Sequence, residues 1–304
     1  MSQKITGLQI AKGLKKAAYN LTQHKDLLNQ LNIFPVADKD TGVNMAHSME
    51  EAVKYLSDGQ LESPKQLLEE VYFQLLEHGH GNSGTILTLF FEGFSFHLPQ
   101  TATISGLEFA KAFKEGANTA YAAVTKPKDG TILTVATQCA NAGLSVTEVT
   151  EDLSILFDRM TDEARCALLQ TAYQNSALRE RHVVDSGAFG FCLILDGFVE
   201  SILPSMPKVD YPTFLLPDSN IVADEDFTDR YCTEAVLVLV DDANLEEMDS
   251  RLKTMGSHYL CASGKDLCKI HIHTEWPEEI LNVLSHYGTL KSKKIDDMKK
   301  QSES

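Results

Sequence analysis

A chain of 304 residues with 43% hydrophobic content has enough apolar material for two cores. Its formal net charge of −16 repels nucleic-acid phosphates and anionic lipid alike, so neither nucleic-acid binding nor stable membrane insertion is expected. Six scattered cysteines without a C-x-x-C pair suit free thiols in a reducing cytoplasm, and a cytoplasmic location is expected.

The opening segment, MSQKITGLQIAKGLKKAAYN, reads as an amphipathic helix with Leu8, Ala11, Leu14, Ala18 and Leu21 on one stripe. It lacks the apolar run and small-residue cleavage site of a signal peptide. Residues 1–203 continue as helix after helix. Leu67, Val71 and Leu75 mark a second stripe. Leu107, Ala110, Phe113, Ala117, Tyr121 and Val124 mark a third, whose start carries a capping box of Ser105 and Glu108. Glycine-bearing loops separate the helices: ADKDTG, HGHGNSG, KPKDG and VVDSGAFG. Four of the nine prolines fall between Pro204 and Asp218, and residues 204–230 read as a linker. Beyond it the periodicity changes. EAVLVLV, YLCAS, CKIHIHT and TLKSKKID read as strands; LEEMDSRLKTMG and PEEILNVLSHYG read as helices. The order β-α-β-β-α-β over 231–297 suits a small α+β domain of the split-βαβ type. Residues 298–304 read as a frayed tail.

Several loops carry chemistry. Asp38 and Asp40 sit two apart on an irregular loop, a placement that suits one hard cation such as Mg²⁺. It equally suits a helix cap at Asp40 with Asp38 in an Asx turn, and the loop alone leaves both open. Lys39 between them need not interfere, because neighbouring side chains on an extended loop diverge. GHGNSG, from Gly79 to Gly84, spells G-x-G-x-x-G, but a helix precedes it where a dinucleotide fold needs a strand. It reads as the end of one helix at Gly79 or Gly81 and a cap for the next at Asn82 or Ser83. Free amides at such a glycine-rich helix start are able to cradle an anion. His271 and His273 share one face of a strand, and Cys232 on a second strand offers a thiolate third ligand, a set that suits zinc. Two ordinary histidines on a solvated sheet face are the alternative. KPKDGTILT and VVDSGAFG read either as plain interhelical connections or as loops lending amides and polar side chains to a ligand.

Taken together, these loops resemble one family. NIFPVADKDTGVNM, HGHGNSGTIL, KPKDGTILTV and VVDSGAFG resemble, in order, four signatures of the ATP-binding subunit of bacterial fatty-acid kinase. RYCTE and KIHIHTEWPEEILNVLSHYG resemble that family's middle domain. The N-terminal part is more distantly similar to the nucleotide-binding subunit of dihydroxyacetone kinase. The resemblance implies an α+β chain: an all-α antiparallel helical barrel over 1–203, then the small βαββαβ domain. It implies ATP and Mg²⁺ held by loops at one end of the barrel. Asp38 and Asp40 match the magnesium carboxylates, with Asn32 as a third ligand. Thr41, Gly42, Asn44 and Met45 match one phosphate loop, and Asn82, Ser83 and Gly84 a second. Thr131, Asp185, Ser186 and Gly187 fall near the nucleotide. Cys232, His271 and His273 match a metal site, with zinc expected.

The implied reaction is phosphorylation of a fatty acid's carboxylate, presented by a separate acyl-binding protein of the DegV type, to give an acyl phosphate. A homodimer is expected. The family's full-length protein continues with a C-terminal domain that this chain does not include. Lys39 replaces a glycine between the aspartates, His80 an arginine and Ala188 a glycine. These departures keep two alternatives open: a dihydroxyacetone-kinase-like small-molecule kinase, and a nucleotide-binding regulator with little turnover.

Overall fold

Short-range signals start most of the helices. The computed structural model describes residues 4–56, 63–206, 211 and 229–302. Helix α1 (Gly7–Leu31) begins with a capping box between Thr6 and Gln9, α3 (Pro64–His78) with one between Ser63 and Gln66, and α5 (Gly106–Ala123) with the expected one between Ser105 and Glu108. Between them lie α2 (Thr41–Val53) and α4 (Gly81–Phe96); α6 (Ile132–Thr147), α7 (Leu153–Gln174), the short α8 (Ser176–Glu180) and α9 (Ser186–Ile202) follow. Two two-residue strands, β1 (Ile5–Thr6) and β2 (Thr103–Ile104), pair antiparallel and tie the start of α1 to the start of α5. Sequence periodicity has no signal for strands this short.

Neighbours in sequence pack on each other from α1 to α7, and α9 closes the ring against α1. Short connections between adjacent helices make them antiparallel. The loops after α1, α3, α5 and α8 therefore lie at one end, and these are the four glycine-bearing loops. Helix α9 is buried from Ser186 to Val199, as a helix apolar on every face must be. Edge-to-face phenylalanines fill the interior; Phe90 meets Phe113 at 4.9 Å and Phe191 at 5.1 Å. The α5 stripe is shifted from expectation. Leu107 and Tyr121 are exposed, while Phe109, Ala112, Gly116 and Ala120 join Ala110, Phe113 and Ala117 inside. Leu8 is likewise exposed.

The second unit follows the expected order: β3 (Tyr231–Leu239), α10 (Leu245–Leu252), β4 (Ser257–Gly264), β5 (Leu267–Thr274), α11 (Pro277–Leu284) and β6 (Gly288–Asp297). The sheet runs β4-β5-β3-β6 with every pairing antiparallel. One face packs on Met248 and Leu252 of α10 and Ile280, Val283 and Leu284 of α11. The other face lies on α3 and α4. There Leu260 and Ala262 join the helical core, and the Tyr72 hydroxyl donates to the Ser263 carbonyl at 2.8 Å. Lys269, buried on β5, donates to the Gly79 carbonyl, and Lys291 pairs with Glu77 at 2.8 Å. Most of the expected linker over 204–230 lies outside the described residues. The expected tail is ordered at its start, because Met298 is buried and opens a short helix, α12 (Met298–Ser302). No helix among the described residues is long and apolar enough to cross a membrane.

The approach of α2 to α1 positions the first loop and leaves no room at Gly42, where an added Cβ would lie 2.0 Å from the Lys25 carbonyl oxygen. Gly42→Ala is expected to destabilise the protein by about 1–3 kcal/mol, the usual cost of overpacking. Urea unfolding measures this, and an unchanged midpoint would refute the close approach.

Candidate functional site

Asparagines from the end of α1 shape the first loop. The Asn29 Oδ1 accepts from the amides of Gly42 (2.8 Å) and Val43 (3.2 Å), and the Asn32 Oδ1 from those of Asp40 (3.0 Å) and Thr41 (2.9 Å). The start of α2 is thus capped from outside. Asp40 occupies the cap position, yet its side chain makes no capping bond. The helix-cap reading of that carboxylate is therefore corrected, and Asp40 turns to Asp38 instead. Burial, then the charge and hydrogen bond of Asp40, push the Asp38 carboxyl up to about 8. Two carboxyls held together and partly desolvated are what a divalent cation relieves, so this pair fits Mg²⁺. Asn32 does not fit as the third ligand. Its oxygen is committed to two amides and its Nδ2 donates to the Val36 carbonyl at 2.9 Å. Lys39 is exposed and adopts φ 56°, the left-handed conformation in which glycine is least strained.

The second loop turns through Gly81, whose φ of 68° suits glycine. Gly79 ends α3 with extended backbone, and His80, not Asn82 or Ser83, is the cap residue of α4. No side chain of that cap answers the first-turn amides, and Asn82 and Ser83 stand in that turn. The Gly81 amide is taken by the Glu234 Oε1 at 2.7 Å, so an anion cradle of the kind expected from the glycine-rich start would rest on Asn82 and Ser83. In the third loop the Thr131 hydroxyl donates to the Lys128 carbonyl at 2.9 Å, and the Thr134 hydroxyl accepts from the Gly130 amide at 2.9 Å. In the fourth, Asp185 caps α9 by accepting from the Ala188 amide at 2.7 Å. Burial raises Asp185 to about 7, opposed by bonds from the amides of Ala188 and Ile132, so this side chain also joins the starts of α9 and α6.

These loops open on one cleft of about 560 Å³. Asp38, Asp40, Thr41, Asn44, Asn82, Ser83, Thr131, Asp185 and Gly187 line it. Phe34, Val36, Ile86, Ile132 and Leu133 give it apolar walls, and Lys126, Lys128 and Lys253 bring positive charge. An apolar cleft with convergent polar groups at one end suits a nucleotide. Four other expected residues serve the framework. Gly42 and Gly84 let helices approach, Met45 is in the core, and the Ser186 hydroxyl donates to the Leu28 carbonyl at 2.7 Å.

The far wall of the same cleft is the sheet. Cys232, His271 and His273 offer ligand atoms within 4.8 Å of one another. The histidines are 1% and 4% exposed, so the solvated-face alternative is corrected: the helical domain covers them. The His271 Nδ1 lies 3.2 Å from a Glu234 oxygen and 3.8 Å from the Cys232 Sγ, while its Nε2 is buried without a partner. A histidine whose one nitrogen is held by a carboxylate and whose other is orphaned fits a metal ligand. Sequence reading overlooked Glu234. It lies two residues after Cys232, on the same strand face, and opposite His271 in the register. Burial would push its carboxyl up, but hydrogen bonds from His271 and His80 and the charge of Lys269 outweigh that and hold it well below the ordinary range.

The Asp38 shift has a sign. From 3.8 to about 8 the folded protein keeps a proton that the unfolded chain releases, so this group's contribution to stability falls as pH rises through that window. Mg²⁺ must displace that proton. The rise in thermal midpoint on adding Mg²⁺ is therefore expected to be larger at about pH 8.5 than at about pH 6. Thermal unfolding at both pH values checks this, and a larger rise at the lower pH would sink the shared-proton account.

Residues 35–200 match the DAK2 domain, and residues 228–304 match the FakA-like middle domain of fatty acid kinases. An uncharacterized protein of Staphylococcus saprophyticus is 33% identical over 99% of this chain and 56% of its own length. Protein YloV of Bacillus subtilis is 33% identical over 98% of this chain and 56% of its own length. The chain thus spans about half the length of the curated relatives it matches. The crystal structure of the dihydroxyacetone kinase of C. freundii aligns with a TM-score of 0.49 and 21% identity, over 63% of this chain and 34% of that one. With the DAK2 match covering more than half of its residues, the chain belongs to the DAK2-domain family, in the branch that carries a FakA-like middle domain.

Proposed function

We propose that this chain binds Mg-ATP in the cleft and transfers the γ-phosphoryl group to the carboxylate of a fatty acid brought by a separate acyl-binding protein of the DegV type. The observation that carries the reading is the convergence of Asp38 and Asp40, the first turn of α4 at Asn82 and Ser83 and an apolar wall on one cleft. Asp38 and Asp40 would hold Mg²⁺, which would supply positive charge against the phosphates. The amides of Asn82 and Ser83 meet the phosphates, and Thr41 and Asn44 border the same space. The acceptor carboxylate is already an anion. Its oxygen forms the new bond to the γ-phosphorus, the bond from that phosphorus to the β,γ-bridging oxygen breaks, and ADP leaves with the electron pair. No proton needs removal, and no general base is assigned. On the sheet side, Cys232, His271 and His273 would hold zinc, with the soft thiolate and imidazole donors that metal prefers.

The test combines purified protein, Mg-ATP, an acyl-binding protein of the DegV type and oleate, with ADP and acyl phosphate followed over time. Turnover that needs all components is expected. ATP binding without turnover on oleate or on dihydroxyacetone would favour a regulator instead. Asp38→Ala is expected to lower turnover by about 10²-fold or more, the scale on which loss of one electrostatic stabiliser of the transition state acts. Undiminished turnover would remove Asp38 from the site. Cys232→Ser is expected to lose zinc on metal analysis, and wild-type zinc content in that variant would refute the ligand set.

A further inference from the structure

The hairpin of β4 and β5 carries two cysteines that touch. Its register places Cys261 opposite Ile270 and Cys268 opposite Ser263, so the two are diagonal neighbours on one face. That face is the one packed on α10 and α11, where Cys268 and Ile270 lie in the core and Cys261 packs against it. The face turned to the cleft, with Leu260 opposite His271, is the other one. The two sulfurs are 3.6 Å apart. A disulfide needs about 2.05 Å, so closing the bond takes an approach of roughly 1.5 Å. The exposed turn at Lys265 and Asp266 joins the strands just beyond the pair and keeps the sulfurs neighbours.

Two features set this pair apart from the other thiols. Cys261 is half-buried and open to a small oxidant, whereas Cys139 and Cys192 are buried and burial pushes their thiols up. The Tyr259 hydroxyl, in a residue 5% exposed, has no hydrogen-bond partner in the thiol state. The Cys268 thiol foremost, and then this hydroxyl, hold the Cys261 thiol below its ordinary value against burial. The same contact with Cys261, and burial, push the Cys268 thiol up, so Cys261 is the thiolate of the pair.

We propose that Cys261 and Cys268 form a redox site in which Cys261 meets hydrogen peroxide and Cys268 closes the disulfide. The site depends on neither the nucleotide nor the metal reading above. The Cys261 thiolate attacks one peroxide oxygen, the O–O bond breaks, and the hydroxide that leaves takes up the proton the thiol released. Cys261 is then a sulfenic acid, oxidised by two electrons as the peroxide is reduced. The Cys268 sulfur attacks the Cys261 sulfur. The S–S bond forms, the S–O bond breaks, and hydroxide leaves as water with the Cys268 proton. Two thiols and one peroxide give one disulfide and two waters. A dithiol reductant reopens the bond by exchange. Tyr259 is a positioning residue for the first step, because its orphaned hydroxyl finds an acceptor in the thiolate. A transient disulfide of this kind suits the reducing compartment expected from the scattered cysteines.

The test treats the intact chain in native buffer with hydrogen peroxide, counts free thiols after denaturation and maps tryptic peptides. The count is expected to fall from six to four. Residues 254–265 and 266–269, which trypsin separates at Lys265, are expected to run as one disulfide-linked species until a dithiol is added. Cys268→Ser keeps Cys261 and is expected to accumulate a sulfenic acid there, captured by dimedone, with no linked peptide. Tyr259→Phe is expected to move the pH profile of thiol loss upward, and an unmoved profile overturns the role given to Tyr259. A thermal unfolding curve on each variant reports folding. Six thiols that persist in the wild type overturn the proposal, as does thiol loss confined to chain-to-chain disulfides at the exposed Cys166. A linked peptide that forms only in urea overturns it too, because the native hairpin then does not bring the sulfurs together.

Discussion

A carboxylate sealed from water is tolerated only where its oxygens are answered, and two domains together answer those of Glu234. His80 and Gly81 come from the helical domain, and His271 from the sheet. Neither domain alone supplies enough donors for a charge buried this deeply. Lys269 makes a complementary contact, its buried ammonium donating to the Gly79 carbonyl within reach of the Glu234 charge. Burial pulls the Lys269 pKa down, and the Glu234 charge opposes that. The sheet face that would otherwise meet solvent is thereby fixed on the α3–α4 connection. The α3–α4 connection and the sheet that carries Cys232, His271 and His273 become two walls of one cleft.

The other wall follows from chain topology. Helices that alternate in direction send every second connection to the same end, so four loops far apart in sequence converge without long excursions. What each loop contributes depends on how its helix is capped. At α2 the capping work is done by Asn29 and Asn32, which frees the Asp40 carboxylate to face Asp38. At α4 the His80 cap makes no side-chain bond; Glu234 takes the Gly81 amide, and Asn82 and Ser83 follow it in the first turn. At α9 the cap is Asp185, buried and joined to the start of α6, so that loop is braced. Lys126, Lys128 and Lys253 line a cleft in a chain whose net charge is −16. These lysines set the opening apart from a surface that is otherwise mostly negative.

Much of this was legible in the residues. The change from three- and four-residue spacing to alternation separated a helical part from a sheet part, and the capping box at Ser105 and Glu108 started α5 where expected. The strand–helix order of the second domain was read correctly, because each element has its own local pattern. The α5 stripe was read one face off. Steps of three and four residues admit neighbouring stripes, and only packing against α4 selected the one through Phe109. Asn32 was misread as a ligand because sequence does not show where an amide oxygen is already spent. Glu234 was legible in principle, since strand alternation puts it on the face of Cys232, but an isolated glutamate in a strand has no signature of its own.

The sequence by itself determined what depends on near neighbours: helix starts, strand alternation, the helix break at Gly79 or Gly81, the paired aspartates and the His-x-His strand. These are encoded within a few residues, where capping, sterics and period act. Only the tertiary structure decided that the histidine face is buried, that the magnesium and zinc candidates share a cleft, and that one carboxylate joins His271 to the start of α4. The contacts of Glu234 with Gly81 and His80 join residues 153 and 154 positions apart. No local pattern encodes such a pairing. It arises when two cores, each built from its own apolar surface, dock with a buried charge that must find its donors across the interface.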